Sequence, residues 1–208
     1  MEYKEFRYYY PPRPKANFPP ERLQEFDKGK YLAQPKLNGS CCLIFTNGKE
    51  VHVYNRHKSI LNFKISNEEL LALYSGKGWM VLLGEYMNKA CKDESGKLWN
   101  HKYCIFDILV YNGKYLLKST IGERQEILGS IFKSKSDKKL LRRISENVYI
   151  VQNIELGFKE IFDEITKYDM YEGLVLKNKS SKLIMGLKEK SDISSQIKCR
   201  KPTKNYSY

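Results

Sequence analysis

Short runs of apolar residues, many alternating with polar ones, recur along most of the chain, a pattern typical of strands. Strands are predicted over 31–36, 41–46, 50–55, 80–86, 102–111, 148–152 and 195–200, with a last hairpin from 173–177 and 182–185. Asn38-Gly39 and Asn47-Gly48 separate the first three strands. Because Asn-Gly is the strongest short hairpin signal, we expect antiparallel pairing there.

Three segments have helical spacing of their apolar residues: 66–74, 122–132 and 158–168. Ser66 with Glu69 three residues later predicts a capping box at the start of the first. Strands and helices do not alternate regularly, as a parallel sheet would require. The pattern therefore predicts an α+β fold of antiparallel β-sheets flanked by helices.

Residues 8–20 hold five of the seven prolines, which favours an extended segment. We therefore expect a proline-rich arm over residues 1–30 and one globular domain over 31–208. A chain of 208 residues is long enough to bury a core of its own.

Basic residues outnumber acidic ones by 37 to 24, which gives a formal net charge of +13. Such an excess favours a polyanionic partner, because cations that neutralise phosphates release condensed counterions. Much of the charge is local, in Lys133, Lys135, Lys138, Lys139, Arg142 and Arg143. A solvated helix face or loop explains that stretch equally well.

The five cysteines stand at 41, 42, 91, 104 and 199 without a Cys-x-x-Cys pair. This spacing speaks against a disulfide framework or a zinc site and favours a reducing, cytoplasmic compartment. No apolar signal core begins the sequence, and no stretch reaches the ~20 apolar residues of a membrane span. We expect a soluble protein without a membrane partner, and its source, including a viral one, stays open.

Lys36 follows an apolar run and precedes a glycine turn, in Gln34-Pro35-Lys36-Leu37-Asn38-Gly39. A lysine attacks as a neutral amine, and burial or nearby cations favour that form. Candidate cations are Lys177, Lys198 and Arg200. Taken alone, Lys36 is an ordinary surface lysine at a turn.

Four further clusters follow Lys36 in order: Gly84-Glu85, Phe106-Asp107, Glu172-Gly173-Leu174-Val175-Leu176-Lys177 and Lys198-Cys199-Arg200. A carboxylate at a strand end can accept hydrogen bonds from a ribose, and an aromatic ring can stack on a purine. Their ordinary interpretations are a solvated acid, a core aromatic and a basic terminus.

Strand alternation makes a prediction about the third of these clusters. It places Glu172, Leu174 and Leu176 on one face, and Gly173, Val175 and Lys177 on the other. It also places Lys198 and Arg200 on one face as a cationic pair. Phosphoryl transfer needs such cations at the phosphate oxygens.

Together the five clusters, from Gln34 to Lys201, resemble the catalytic core of the ATP-dependent polynucleotide ligases in the covalent nucleotidyltransferase superfamily. The resemblance implies an ATP-grasp-like nucleotidyltransferase fold, ATP as cofactor, AMP carried covalently on Lys36, and Mg²⁺ or Mn²⁺. It also implies roles for the neighbouring residues: Gln34 at the adenine edge, with Pro35 and Asn38 beside the nucleotide; Arg56 at the nucleotide or a 5′-phosphate; Glu85 at the ribose; Phe106 stacked on adenine; Glu172 at the metal; and Lys177, Lys198 and Arg200 at phosphates, the last two as catalytic residues.

The chain departs from the family pattern in three places. Asn38 stands where an aspartate is usual, and Cys41 stands where DNA-joining members often have an arginine. The sequence ends eight residues after Arg200, so we expect no C-terminal oligonucleotide-binding β-barrel domain.

The favoured interpretation is a monomeric ATP-dependent ligase that seals nicked nucleic acid in DNA repair or replication. DNA is favoured over RNA because Phe106-Asp107-Ile108-Leu109, Asn112-Gly113 and Gly122-Glu123-Arg124 look more like DNA ligases. The alternatives are an RNA ligase, an mRNA-capping-type nucleotidyltransferase and a non-catalytic nucleic-acid-binding module.

Overall fold

The computed structural model describes residues 18–133, 140–183 and 195–202. These contain twelve strands: β1 (Tyr31–Leu37), β2 (Ser40–Thr46), β3 (Val51–Asn55), β4 (Met80–Met87), β5 (Cys91–Lys92), β6 (Leu98–Trp99), β7 (Lys102–Tyr111), β8 (Lys114–Tyr115), β9 (Leu141–Arg143), β10 (Val148–Val151), β11 (Tyr171–Asn178) and β12 (Gln196–Arg200). The helices are α1 (Asn67–Leu71), α2 (Ile121–Ile131) and α3 (Phe158–Ile165). The predicted α+β class is confirmed, and α1 and α3 are shorter than predicted.

Seven strands form the larger sheet, in the order β3-β2-β4-β7-β10-β9, with β8 paired to β7. All of its pairs are antiparallel except β7 with β10, which run parallel from Tyr103 to Ile105 and from Val148 to Ile150. The chain between them contains α2, and a crossover of this length is what parallel strands require. The expectation of antiparallel pairing therefore fails at this one place in the described residues.

A three-stranded sheet, in the order β1-β11-β12, forms the other layer. Strand β1 pairs with β11, whereas β2 pairs with β3 and β4, so Asn38-Gly39 closes no hairpin. The prediction of a hairpin there is wrong, because the turn carries the chain from one sheet to the other. The hairpin at Asn47-Gly48 is confirmed by the pairing of Thr46 with Val51.

The last predicted hairpin is also wrong in the part that the structure describes. Strand β11 takes β12 as its second partner, and Lys182 instead forms a bridge with Thr120. Residues 184 and 185 of the predicted strand lie outside the described residues. Because β12 supplies the missing ladder of hydrogen bonds, β11 is fully paired without a neighbouring hairpin strand.

Apolar side chains on both faces of the larger sheet are buried. Ile44 and Leu82 pack with Leu70 of α1 and Leu128 of α2, while Leu43 points to the opposite face. In the smaller layer, Phe158, Phe162 and Ile165 recur at i, i+4 and i+7 on α3 and pack with Leu174 and Leu176. The two layers thereby face each other across a gap in which polar side chains collect.

The first described residues pack against the smaller layer. Pro20–Phe26 form a 3₁₀ helix, Leu23 is fully buried, and Phe18 meets Phe26 edge-to-face at 4.9 Å. Residues 1–17 of the predicted arm lie outside the described residues, and the boundary at residue 30 stays a prediction. No separate β-barrel domain occurs in the described ranges, and none of their helices is long and apolar enough to cross a membrane.

The capping box predicted at α1 is half formed. Ser66 accepts a hydrogen bond from the Glu69 amide, as expected for an N-cap. The Glu69 carboxylate instead accepts hydrogen bonds from Ser145 and from Asn147, across the sheet. A complete capping box occurs at α2, between Thr120 and Glu123.

Candidate active site

A cavity of about 480 Å³ lies between the two sheets. Eight of the predicted site residues line it: Gln34, Pro35, Lys36, Arg56, Glu85, Phe106, Lys177 and Lys198. Glu172 and Arg200 lie beside it, where Glu172 contacts Lys36 and Arg200. Asn38 is exposed and is not part of the lining, so its predicted place beside the nucleotide lacks support from this geometry.

The register of the strands determines which side chains of the smaller sheet line the cavity. Gln34 of β1 pairs with Val175 of β11, which pairs with Lys198 of β12. Paired residues project from the same face of a sheet, and so do residues two positions apart. Lys36 and Lys177 therefore reach the same cavity as Gln34, and the predicted placement of Val175 and Lys177 on one face is confirmed.

A β-bulge turns Glu172 toward Lys36. Lys36 pairs with Gly173 and Leu37 with Tyr171, so Glu172 is the extra residue between them. Gly173 has φ of 145°, and a Cβ there would lie 2.1 Å from the Cys199 carbonyl oxygen, so this bend needs glycine. The alternation that placed Glu172 with Leu174 and Leu176 is wrong for Glu172, because the bulge moves it off their buried face.

The carboxylate of Glu172 lies between two cations. It forms an ion pair with Lys36 Nζ, and Arg200 Nε lies 3.3 Å from its Oε2. In this arrangement the amine of Lys36 is engaged with Glu172. A nucleophilic attack by Lys36 therefore requires that this contact be released.

Glu172 also has the chemistry that a magnesium ion prefers. Protein-bound Mg²⁺ takes one or two carboxylates together with substrate phosphates and water. The described residues contain no cluster of three or more His, Cys, Asp or Glu side chains, so a site made of protein ligands alone is absent from them. The donor set fits a metal shared between Glu172 and a phosphate.

Glu85 lies inside β4, two residues before its end, and not at the predicted strand end; its carboxylate accepts a hydrogen bond from Gly39 N at 3.0 Å. Burial raises the pKa of its carboxyl to about 7, against the opposing effect of Lys36. A Cβ on Gly39 would lie 2.4 Å from the Tyr86 carbonyl oxygen, so only glycine allows this approach. The Asn-Gly turn thus positions Glu85 instead of closing a hairpin.

Phe106 and Lys177 form a pair on one wall of the cavity. Lys177 Nζ lies 4.9 Å from the ring centroid of Phe106 and donates to the Phe106 carbonyl oxygen at 3.4 Å. Burial lowers the pKa of Lys177 to about 8, although Asp107 opposes this effect. Burial and the nearby charges of Lys36 and Arg56 also lower the pKa of Lys198.

Asp107, next to Phe106, has a structural part. Its two carboxylate oxygens accept hydrogen bonds from Arg124 Nε and a terminal guanidinium nitrogen, at 2.8 and 2.9 Å. Both side chains are buried. Burial would raise the pKa of Asp107, but Arg124 holds it below the ordinary value. The pair fastens α2 to β7.

Gln125 and Asn153 are two neighbours of the site that the sequence did not reveal. Both accept hydrogen bonds from the amide of Gln34, and Gln125 lies on α2 just after Arg124. No spacing or motif marks them, because an isolated amide side chain is common at helix surfaces and strand ends. Only the long-range packing of α2 and of the segment after β10 brings them to Gln34.

Comparison with known families gives a decisive match. The family model of the ATP dependent DNA ligase domain matches residues 68–193, more than half of the chain. The chain belongs to this family. The matched part of this ligase domain includes Glu85, Phe106, Glu172 and Lys177, whereas Lys36 precedes it. No curated protein matches the sequence.

Solved structures share the fold of this ligase domain. A mycobacterial DNA ligase D complexed with ATP and MES superposes with a TM-score of 0.65 at 16% identity, over 96% of this chain and 62% of that one. The ligase domain of M. tuberculosis LigD gives 0.61 at 14% identity, over 94% and 59%. A Lig E DNA ligase, described as binding DNA with a minimal scaffold, gives 0.55 at 15%, over 92% and 69%.

The chain spans about three fifths of the length of the two mycobacterial structures. The nucleotidyltransferase fold of DNA ligases, expected from the five clusters, is confirmed by these superpositions.

Proposed function

We propose that this chain is the catalytic core of an ATP-dependent ligase that seals nicks in DNA through an AMP–lysine at Lys36. The observation that carries the proposal is the position of Lys36 in the cavity. Its neighbours there are an aromatic ring, a carboxylate, the buried Lys177 and the half-buried Lys198, the parts that a base, a ribose and phosphates require. Membership of the ATP dependent DNA ligase domain family supports ATP as the donor.

In the first step, the neutral amine of Lys36 attacks the α-phosphorus of ATP, and a P–N bond forms as pyrophosphate leaves. Phe106 stacks on the adenine, Glu85 accepts a hydrogen bond from the ribose, and Lys177 and Lys198 stabilise charge on the phosphate oxygens. Glu172 would hold a divalent cation, which supplies further charge neutralisation at the phosphates when bound.

In the second step, an oxygen of the 5′-phosphate at a nick attacks the AMP phosphorus. The P–N bond breaks, and Lys36 leaves as an amine that regains a proton. The 3′-hydroxyl then attacks the activated 5′-phosphate, forms the phosphodiester and releases AMP. Arg56, which lines the same cavity, would contact the incoming 5′-phosphate.

The first experiment is covalent labelling with ATP that carries ³²P in its α-phosphate, in the presence of Mg²⁺. Wild type should acquire one acid-labile label, and Lys36→Ala should acquire none. Lys36→Arg should also fail, because a guanidinium stays protonated. The matched control is Lys49→Ala, in the exposed β2–β3 turn, which should label as wild type does. A labelled Lys36→Ala protein would refute the assignment.

The second experiment asks which polymer is joined and whether the chain works as a monomer. Nicked duplexes with DNA or RNA on either side of the nick are offered to the labelled protein, and its mass is measured in solution. We expect the DNA nick to be sealed faster by a monomeric protein. Faster sealing of RNA ends would support the RNA ligase alternative. A protein that binds nicks without taking label would support the non-catalytic alternative.

A further inference from the structure

The side-chain amide of Gln34 is the centre of a hydrogen-bond network. Its nitrogen donates to Asn153 Oδ1 at 2.8 Å and to Gln125 Oε1 at 3.1 Å, and it lies 3.4 Å from the Phe106 carbonyl oxygen. An amide nitrogen carries two hydrogens, so these acceptors use both. Gln34 itself is only 2% exposed.

The orientation of this amide follows from the Phe106 carbonyl. A backbone carbonyl can only accept, and Gln125 Nε2 donates to it at 3.0 Å. That bond turns Gln125 Oε1, an acceptor, toward Gln34. Rotating the Gln34 amide by 180° would bring its oxygen against three acceptors. The network therefore fixes Gln34 with its nitrogen inward.

What Gln34 offers to the cavity is consequently its carbonyl oxygen. Among residues 18–133, 140–183 and 195–202, no donor bonds to Gln34 Oε1. Gln34 and Phe106 line the same cavity, so an acceptor stands at the edge of any base stacked on that ring. A glutamine whose amide could rotate would offer either a donor or an acceptor, because it can present either end of its amide.

We infer that Gln125 and Asn153 are positioning residues that lock Gln34 as a hydrogen-bond acceptor, and that this lock selects adenine over guanine. The inference rests on the proposed function, in which a purine occupies the cavity. Adenine carries an amino donor at C6, whereas guanine carries a carbonyl acceptor there. Locked Gln34 pairs with the first and faces the second acceptor to acceptor, which leaves a buried polar group unsatisfied.

The test is the initial rate of self-labelling with ATP, with GTP and with purine riboside triphosphate, which has only hydrogen at C6. Asn153→Ala removes the nearest acceptor from an exposed position, and Gln125→Leu removes the second. Each variant should lower the ATP-to-GTP ratio by about tenfold, the value of one hydrogen bond, and should reduce the preference for ATP over the purine analogue. The rate with ATP should change only a few-fold.

Two further variants separate this role from a merely structural one. Asn153→Asp keeps an acceptor oxygen at the same place and should retain the wild-type ratio. Gln152→Ala, at the adjacent position, is the control and should retain it too. The inference is supported if the ATP-to-GTP ratio falls in Asn153→Ala but not in Asn153→Asp.

The unfavourable outcomes are distinguishable. If wild type takes label and Asn153→Ala keeps the wild-type ATP-to-GTP ratio, the inference is overturned and the proposed function stands. If wild type labels equally with ATP and GTP, the inference is likewise overturned. If wild type takes label from none of the three nucleotides, the proposed function itself fails. Should Gln125→Leu fold poorly, Asn153→Ala and Asn153→Asp decide the question alone.

Discussion

At the scale of single residues, the site brings several ionisable side chains together in a largely buried place. Lys36 is paired with Glu172, while Lys177 is held in a buried position against an aromatic ring. Burial raises the pKa of Glu85 to about 7. Such opposed environments are typical of catalytic sites, because they hold groups ready to change protonation near neutral pH.

Phe106 offers a prediction about affinity. Base–aromatic stacking contributes roughly 1–3 kcal/mol, so Phe106→Ala should raise the ATP concentration for half-maximal labelling by about ten- to a hundred-fold. Phe106→Tyr keeps a ring of the same size and serves as the control. The measurement is the ATP dependence of the labelling rate. An unchanged ATP dependence with a lowered melting temperature would show instead that Phe106 acts only in the core.

Glu85 offers a prediction about pH. Its pKa is raised from 4.5 to about 7, so between these values the folded state holds a proton that the unfolded state has lost. Stability is therefore greatest below pH 4.5 on this account and falls as the pH rises to 7. Glu85→Gln abolishes this loss and should be more stable than wild type by about 3 kcal/mol at pH 8, with little difference at pH 4.5. Urea unfolding at several pH values measures it, and a difference independent of pH would contradict it.

The sequence predicted which residues come together better than it predicted how their side chains are arranged. Lys36, Glu85 and Phe106 were predicted from ordered motifs and do meet in one cavity. The direction of Glu172 was not predictable, because a bulge depends on how two strands 136 residues apart come into register. Gln125 was missed for the same kind of reason.

At the scale of elements, apolar periodicity predicted the longer strands and the helices, whereas turn chemistry predicted their partners less well. Asn47-Gly48 closes a hairpin, but Asn38-Gly39, with the same dipeptide, does not. A turn dipeptide describes local backbone preference only. Pairing depends on which apolar face each strand must bury, and β1 and β2 bury theirs in different layers.

The pair of Asp107 with Arg124 carries the prediction for elements, because it fastens α2, and with it Gln125, to β7. Arg124→Met leaves a buried carboxylate without its partner and should lower the free energy of unfolding by about 3–5 kcal/mol. The double variant Asp107→Asn/Arg124→Met should lose less than the sum of the single changes. Chemical denaturation of all three measures the coupling.

The exposed pair of Arg22 with Glu25 is the control for this cycle. Breaking it with Arg22→Met should lower the free energy of unfolding far less than Arg124→Met does, because exposed ion pairs are screened by water. Equal costs for Arg124→Met and Arg22→Met would show that the buried pair does not anchor the helix.

At the scale of the whole molecule, the chain combines a net charge of +13 with a cavity formed between two sheets. Part of the charge that the sequence analysis singled out, such as Lys135 and Lys139, lies outside the described residues. The excess of basic residues is counted over the whole chain. Its effect on DNA binding depends on how many phosphates these residues neutralise, because each neutralised phosphate releases counterions.

Binding of nicked DNA should therefore depend steeply on salt. With six phosphate contacts, affinity should fall about a thousand-fold between 50 and 200 mM salt. Labelling by ATP, which meets only the cavity, should change far less over the same range and is the internal control. Fluorescence anisotropy of a nicked duplex measures the binding. A shallow salt dependence would show that few phosphates are contacted.

Strand β1 pairs with β11, far along the chain, and not with its sequence neighbour β2. This pairing affects the order in which the sheets form during synthesis. The larger sheet draws all seven of its strands from residues 40–151 and can begin to assemble while the chain is still being made. Strand β1 must wait for β11, because loop closure over so many residues is slow and its partner is translated late. A nascent or truncated polypeptide that ends before β11 thus carries Lys36 on a strand that lacks its main partner. Reactivity toward nucleotide should therefore arise only at the last stage of folding.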